Sequence, residues 1–430
     1  MFGSVLKELC KCKVKDIINL LWKKVCAQVL PAISDQVGTE VGIDHYLWKK
    51  ITAKKSKNAR KDGFINFVDK VLFLRDDSRV IKLDITCDIY YDVDRLDAWL
   101  IVAARRHVEE VNLVWNPKEP TELTPLVFTP SSGISKFKFM PNRYYDSYLQ
   151  LPNSLCLAPM LKSLHLESCK LPKGNSKGEM TLQCSILKNL TIIDCEHGDL
   201  KLIDIYIPGL RNLVVENVKD DRNGSCKLKI RTRKLESITL SGCMYQHYSL
   251  EYLTSLVCAK FGWLRGCMQA QSLIQVLEGL RHAKLLELFG LSLEPQDMED
   301  QLLNGLLYLR CLKLTHWSNC SCIRTLLNLL RSSRFIETLV VELNQDDKAE
   351  EWEEELFPNM FRKLKVAEVR NLKGCDNDLK FLHLLLMNAT QLEKLTITMV
   401  PWGRQMMLAE LGRRIQSLPR ASSSITILLF

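Results

Sequence analysis

"LKSLHLESC" (Leu161–Cys169) and "LKNLTIIDC" (Leu187–Cys195) decide how this chain is read. Both carry leucine-like residues at places one, four and six and a cysteine at place nine, and they begin 26 residues apart. Apolar residues alternating at places four and six mark a short strand with one buried face. One such strand cannot cover its apolar side alone. Recurrence at a fixed spacing therefore implies stacked units whose strands pair in a parallel sheet.

The same apolar-x-x-apolar-x-apolar frame starts at Val80, Val108, Ile134, Leu161, Leu187, Leu210, Leu235, Leu256, Leu285, Leu309, Ile336, Leu364 and Leu392. Successive starts lie 21 to 29 residues apart and 26 on average, the length and pattern of leucine-rich repeats. Two units are irregular: the frame at Leu285 puts Gly290 in the sixth place, and the frame at Leu256 has Ala259 in the fourth. Place nine holds Asn116, Asn142, Cys169, Cys195, Cys243 and Asn344. A small side chain there turns inward and meets backbone groups where the strand bends away, which makes the three cysteines structural. The expected fold class is α/β: a leucine-rich-repeat solenoid, with a curved parallel sheet on the concave face, helices and loops on the convex face, and a small N-terminal helical segment.

Between strands the chain must travel back across the stack. In "VDRLDAWLIVAARR", Leu96, Trp99, Leu100 and Ala103 follow helical spacing, as do Leu273, Val276, Leu277 and Leu280 in "LIQVLEGLRHA". The return "CKLPKGNSKGEM" (Cys169–Met180), with Pro172 and two glycines, is not expected to be helical. Caps are expected at both ends. Phe64, Phe67, Val68, Val71 and Leu72 would form a helix over the first repeat, and Leu364–Ile397 reads as strand, glycine turn, amphipathic helix and strand.

Composition agrees with a folded chain. Of 430 residues, 47% are hydrophobic and 25% charged, too long for one compact core and suited to an array. No apolar run reaches the roughly 20 residues that span a bilayer, and the N-terminus lacks the apolar core of a signal peptide. Sixteen cysteines without CxxC pairing read as reduced thiols of the nucleus or cytoplasm. Residues 1–62 hold 13 Lys/Arg against 6 Asp/Glu, so +7 of the net +9 sits there and the remaining 368 residues net +2. No sustained basic stripe marks a nucleic-acid surface. The basic cluster "KKITAKKSKNARK" (Lys49–Lys61) reads as a solvated linker or a nuclear localisation signal.

Motifs for phosphate loops, dinucleotide folds, zinc hydrolases and nucleophile elbows are absent. The nearest approach to a metal cluster, His316, Cys320 and Cys322, matches no common zinc spacing, so no metal or cofactor is expected. The acidic run from Asp346 to Glu355 reads as a solvated face. Binding is the expected activity, through residues between the buried ones on each strand: Ser163, His165, Glu167, Asn189, Thr191, Asn212, Glu216, Ser237, Thr239, Lys313, Thr315, Glu342, Glu368 and Arg370. Curved arrays bind proteins on that face.

Three stretches resemble the plant F-box/leucine-rich-repeat family whose members end in an FBD-like segment. "FINFVDKVLFLRDDSRVIKLDI" (Phe64–Ile85) resembles the stretch after the F-box, and "DVDRLDAWLIVAARRHVEEVNL" (Asp92–Leu113) its first helical return. The FBD likeness runs through Leu364, Val369, Gly374, Asp378, Leu379, Phe381, Leu385, Asn388, Ala389, Leu392, Glu393, Lys394 and Ile397. The resemblance implies a substrate-recognition subunit of a Skp–cullin–F-box ubiquitin ligase, docked on a Skp-type adaptor through Leu30, Pro31, Val37, Val41, Leu47 and Trp48. The family's opening Leu-Pro-acidic segment is replaced by Lys-rich sequence around Cys10–Lys15, and Gly42-Ile43-Asp44 stands where a Ser-Arg-Arg-Trp segment belongs. Two readings follow: a degenerate F-box that still docks, or a repeat scaffold or decoy that has lost docking. The expected segments are 1–62 (basic, F-box-like), 63–363 (repeats), 364–400 (terminal repeats with the FBD-like segment) and 401–430 (cap).

Overall fold

A computed structural model describes residues 40–45, 57–73, 80–87, 93–117, 119–141, 148–217, 226–242, 245, 247–263, 270–290, 306–315, 329–331, 333–342, 360–399 and 406–430. The chain divides into two compact units, Met1–Leu200 and Lys201–Phe430.

In the first unit the elements run β1 (Glu40–Asp44), α1 (Lys57–Phe73), β2 (Lys82–Thr86), α2 (Val93–Arg105), β3 (Glu110–Val114), β4 (Thr121–Glu122), β5 (Lys136–Met140), β6 (Leu149–Gln150), β7 (Ser163–Glu167), β8 (Glu179–Leu182) and β9 (Asn189–Ile193). Its main sheet has the order β1-β2-β3-β5-β7-β9, with parallel pairing throughout. Places four and six of each repeat form two inward rows. Val41, Leu83, Val111, Phe137, Leu164 and Leu190 make one, and Ile43, Ile85, Leu113, Phe139, Leu166 and Ile192 the other, each at most 3% exposed. The leucine ladder is thus a buried wall, and burial of each such side chain is worth about 1.5–3 kcal/mol. Helices α1 and α2 lie where helical spacing predicted. Phe64, Val68, Leu96, Trp99 and Leu100 are wholly buried, and Trp99 Nε1 donates to Asp69 Oδ1 at 2.8 Å, tying the two helices together.

The second unit runs β10 (Leu202–Ile205), β11 (Asn212–Asn217), β12 (Lys227–Arg231), β13 (Ser237–Gly242), β14 (His247–Glu251), β15 (Cys258–Trp263), α3 (Ala270–Gly279), β16 (Leu285–Phe289), β17 (Cys311–Thr315), β18 (Thr338–Glu342), β19 (Val366–Leu372), α4 (Asp376–Asn388), β20 (Lys394–Met399), α5 (Met406–Ser417) and β21 (Thr426–Leu429). Its main sheet, again parallel, has the order β11-β13-β15-β16-β17-β18-β19-β20-β21. The terminal stretch takes the expected form: β19, a turn at Gly374, α4 and β20. Asp378, 1% exposed, accepts the backbone N–H groups of Lys373 and Gly374 at 2.9 Å each, closing that turn onto the start of α4.

Three features differ from the sequence reading. The frame at Leu285 is displaced by two residues: Leu286 and Leu288 are buried and pair with Ala259 and Phe261, so the first place is Ala283, itself 1% exposed. Spacings of 29 and 24 around it become 27 and 26. Gly290 then falls in place eight, not six. Place eight takes the left-handed conformation in five repeats, at Ser168, Asp194, Gly242, Gly290 and Asn371. Glycine, Asn, Asp and Ser suit that bend because their side chains are absent or short. Second, the middle returns are strands rather than helices or loops: β10, β12 and β14 form a parallel sheet behind the main one, and β8 follows the Cys169–Met180 return. Ile203, Ile205, Leu228 and Ile230 of that sheet are at most 1% exposed, so it contributes to the same core. Third, the parallel pairing extends by one strand at each end of the ladder, through β1 and β21.

At place nine Asn116, Cys169 and Cys195 are buried, as expected; Asn142, Cys243 and Asn344 lie outside the described residues. The Cys169 and Cys195 sulfurs stand 3.5 Å apart. Burial pushes the Cys169 thiol well above its ordinary value, and the neighbouring sulfur adds to the effect. Burial marks both as packing groups of the core.

Candidate functional site: the outward face of the main sheet

Because side chains alternate across a strand, burying places four and six forces the residues beside them outward. All fourteen residues singled out from the sequence lie on main-sheet strands and are half-buried or exposed. Strand register groups them into rows. In the first unit Ser163 stands beside Asn189 and His165 beside Thr191. In the second unit Asn212 pairs with Ser237, and Glu216 lies two residues along the same outward row of β11 from Val214, which pairs with Thr239. Lys313, with Thr315 two residues on, stands between Glu287 and Val340; Val340 in turn pairs with Glu368, and Glu342 with Arg370.

The face is polar and internally paired. Arg370 Nε donates to Glu368 Oε1 at 2.7 Å, and Asn371 Nδ2 donates to Glu342 Oε1 at 2.8 Å. Lys260 and Glu287 form an ion pair across neighbouring strands at 3.1 Å. His165 Nε2 stands 3.9 Å from Glu167 Oε2. Burial lowers the imidazole below its ordinary value and the Lys138 charge lowers it further, outweighing Glu167, so the ring is neutral at pH 7.

Residues missed by the sequence reading extend the face toward β1. Lys136 Nζ meets Glu110 Oε2 at 3.0 Å, Lys82 Nζ meets Asp84 Oδ2 at 3.0 Å, and Asn112 Nδ2 donates to Asp84 Oδ1 at 2.6 Å. Burial pulls the Glu110 carboxyl upward, but the hydrogen bonds from Lys136 and Asn112 and the nearby Lys charges win and hold it below its usual range. Their signal was available, since each is a place-three or place-five residue of an identified repeat. Surface pairs of this kind are worth about 0–1 kcal/mol each, so they shape the face more than they stabilise it.

Nothing on the face resembles an activated nucleophile, and no group of three or more His, Cys, Asp or Glu among the described residues could hold a metal. His316, Cys320, Cys322 and the Asp346–Glu355 run lie outside the described residues. So do Leu30, Pro31, Val37, Leu47 and Trp48. Val41 is described, and it is a buried rung of β1, 2% exposed and paired with Leu83, rather than part of a helical module. No described helix is long and apolar enough to cross a membrane.

A putative FBD-associated F-box protein of Arabidopsis thaliana is 23% identical over 334 residues, covering 76% of each chain. This chain is similar to plant F-box/leucine-rich-repeat proteins. An F-box/LRR-repeat protein of the same plant is 25% identical over 175 residues, 41% of this chain and 50% of the relative. A putative F-box protein is 28% identical over 162 residues, 38% of this chain and 34% of the relative. Against these two, the chain spans half of the relative's length or less. No family model matches the chain. The resemblance read from Phe64–Ile85, Asp92–Leu113 and Leu364–Ile397 thus agrees with relatives whose names carry F-box, FBD and LRR.

Proposed function

We propose that this chain is a non-catalytic recognition protein that holds a target protein on the outward face of its main sheet, as the substrate-recognition subunit of a Skp–cullin–F-box ubiquitin ligase. The observation carrying this reading is the relationship to an FBD-associated F-box protein along 76% of the chain. The polar, register-aligned rows around His165 in the first unit, and those around Thr239, Lys313 and Arg370 in the second, are each varied enough to help select a partner. Residues 1–62 would dock the Skp-type adaptor, and the cullin would follow through that adaptor. Free, buried thiols support a site of action in the nucleus or cytoplasm. The test is co-precipitation of the full chain with a recombinant Skp-type adaptor, coupled to affinity capture of targets. His165→Ala/Arg370→Ala should lose targets and keep the adaptor; loss of neither would remove the face from the proposal.

One observation favours a scaffold or decoy without ligase docking. Residues 40–44, which overlap the F-box resemblance, are a strand of the repeat sheet. A chain that binds targets but no adaptor would establish this second reading.

A further inference from the structure

The near-neutrality of residues 63–430 conceals a local concentration of charge. Just before β16, β17, β18 and β19 the chain enters the sheet through the stretches 281–284 (RHAK), 307–310 (LYLR), 334–337 (RFIE) and 362–365 (RKLK). These sixteen residues hold 7 Lys/Arg and 1 Glu, a net +6, whereas all of 63–430 nets +2. In each stretch the third residue is the buried first place of a repeat (Ala283, Leu309, Ile336, Leu364), and the other three project from the strand-entry edge. Backbone hydrogen bonds from Arg310 to Lys284, Glu337 to Arg310 and Lys365 to Glu337, at 2.8–2.9 Å, align the four stretches rung on rung.

Aromatic side chains stand among these cations. Tyr308 is 55% exposed and Phe335 45%, and Leu307 beside them is 51% exposed. The His282 and Tyr308 rings stack with centroids 5.4 Å apart, and the Arg310 guanidinium lies over Phe335 at 5.2 Å. Glu337 is shared by Arg310 at 3.7 Å and Lys365 at 3.0 Å. Arg281, Arg334 and Lys363 are exposed, and no acidic partner is recorded for them among the described residues. Tyr and Arg are among the residue types that dominate protein-binding energies, and exposed Phe is enriched where proteins meet.

We propose that this edge docks an acidic, aromatic- or leucine-containing segment of a partner protein, on residues separate from the outward sheet face. Charge complementarity sets the sign of the partner. Exposed apolar groups set its kind: a polyphosphate backbone would leave Leu307, Tyr308 and Phe335 unused. Four rungs at about 5 Å span roughly 15 Å, the length of a five-residue extended peptide.

The experiment uses the full chain and a fluorescein-labelled peptide of ten residues, with Glu or Asp at alternate places and one Phe and one Leu between them. Binding is read by fluorescence anisotropy at low and physiological salt. Arg334→Glu/Lys363→Glu should weaken binding at least tenfold, and Tyr308→Ala about fivefold. Lys162→Glu/Lys188→Glu changes net charge equally on the first unit and should leave binding unchanged. Circular dichroism on each variant confirms the fold. The proposal is overturned if wild-type protein does not bind, if both charge reversals weaken binding alike, or if a single-stranded ten-nucleotide DNA binds more tightly than the peptide. Tighter binding after the acids of Asp346–Glu355 are changed to amides would also overturn it, by naming that run as the occupant.

Discussion

Replacing Ile43 separates the two roles available to the N-terminal residues. Ile43 is 2% exposed and stands in the inward row beside Ile85 of β2, with Val41 beside Leu83. Truncating a buried isoleucine to alanine costs about 2–5 kcal/mol through lost transfer energy and the cavity left behind. Ile43→Ala should therefore cost about 3 kcal/mol. In a unit of this size, that corresponds to a Tm lowered by roughly 6–12 °C. Strand β1 has only β2 beside it in the sheet order, so part of the loss will appear as local opening at the end of the stack. The assay is urea unfolding of the full chain, with hydrogen exchange followed at the amides of residues 41–45. Thr86→Ala, a half-exposed change on the neighbouring strand, is the control and should stay within about 0.5 kcal/mol of wild type. If Ile43→Ala leaves stability and exchange unchanged while abolishing adaptor binding, β1 is not a rung and the sheet assignment fails.

Gly242 adopts φ +99°, and a Cβ there would lie 1.8 Å from the Asn217 carbonyl oxygen. Gly242→Ala should cost about 3 kcal/mol or more by thermal unfolding. Gly412→Ala in α5, whose new Cβ would meet only Leu429 at 3.6 Å, should be neutral or stabilise by about 0.5–1 kcal/mol. NMR titration should find the His165 ring below its ordinary pKa. Lys138→Met should raise it and Glu167→Gln lower it further. The sign follows: a depressed imidazole contributes stability that is fully present above the unfolded value of 6.5 and is lost as pH falls through it toward the folded value, and His165→Gln should flatten that slope. Under native conditions iodoacetamide should label exposed Cys375 and spare Cys169, Cys195 and Cys156, the last pushed up to about 12 by burial; mass spectrometry reads the pattern.

Much of the candidate face was legible beforehand because burial is written locally. Once Leu164 and Leu166 face inward, Ser163, His165 and Glu167 must face out, whatever their neighbours are. Ala283 was passed over because alanine carries too little apolar signal to compete with Leu285 two residues later. Pairing with Ala259 and Phe261 decided between the two frames. The second sheet was illegible for a related reason. Each of β10, β12 and β14 is a short alternating segment, and such segments specify no partner until their neighbours in the stack are placed beside them.

The sequence by itself determined the period, most of the inward rungs and the helical returns at Leu96–Ala103 and Leu273–Leu280, since each is a property of residues within one repeat, and it carried the likeness to F-box/leucine-rich-repeat proteins. Tertiary structure decided the use of Val41 as a rung, the strands behind the middle repeats, and the basic aromatic edge. Those depend on side chains roughly 25 to 40 residues apart in the chain standing about 5 Å from one another. Charges that cancel along a chain add where a stack brings them side by side.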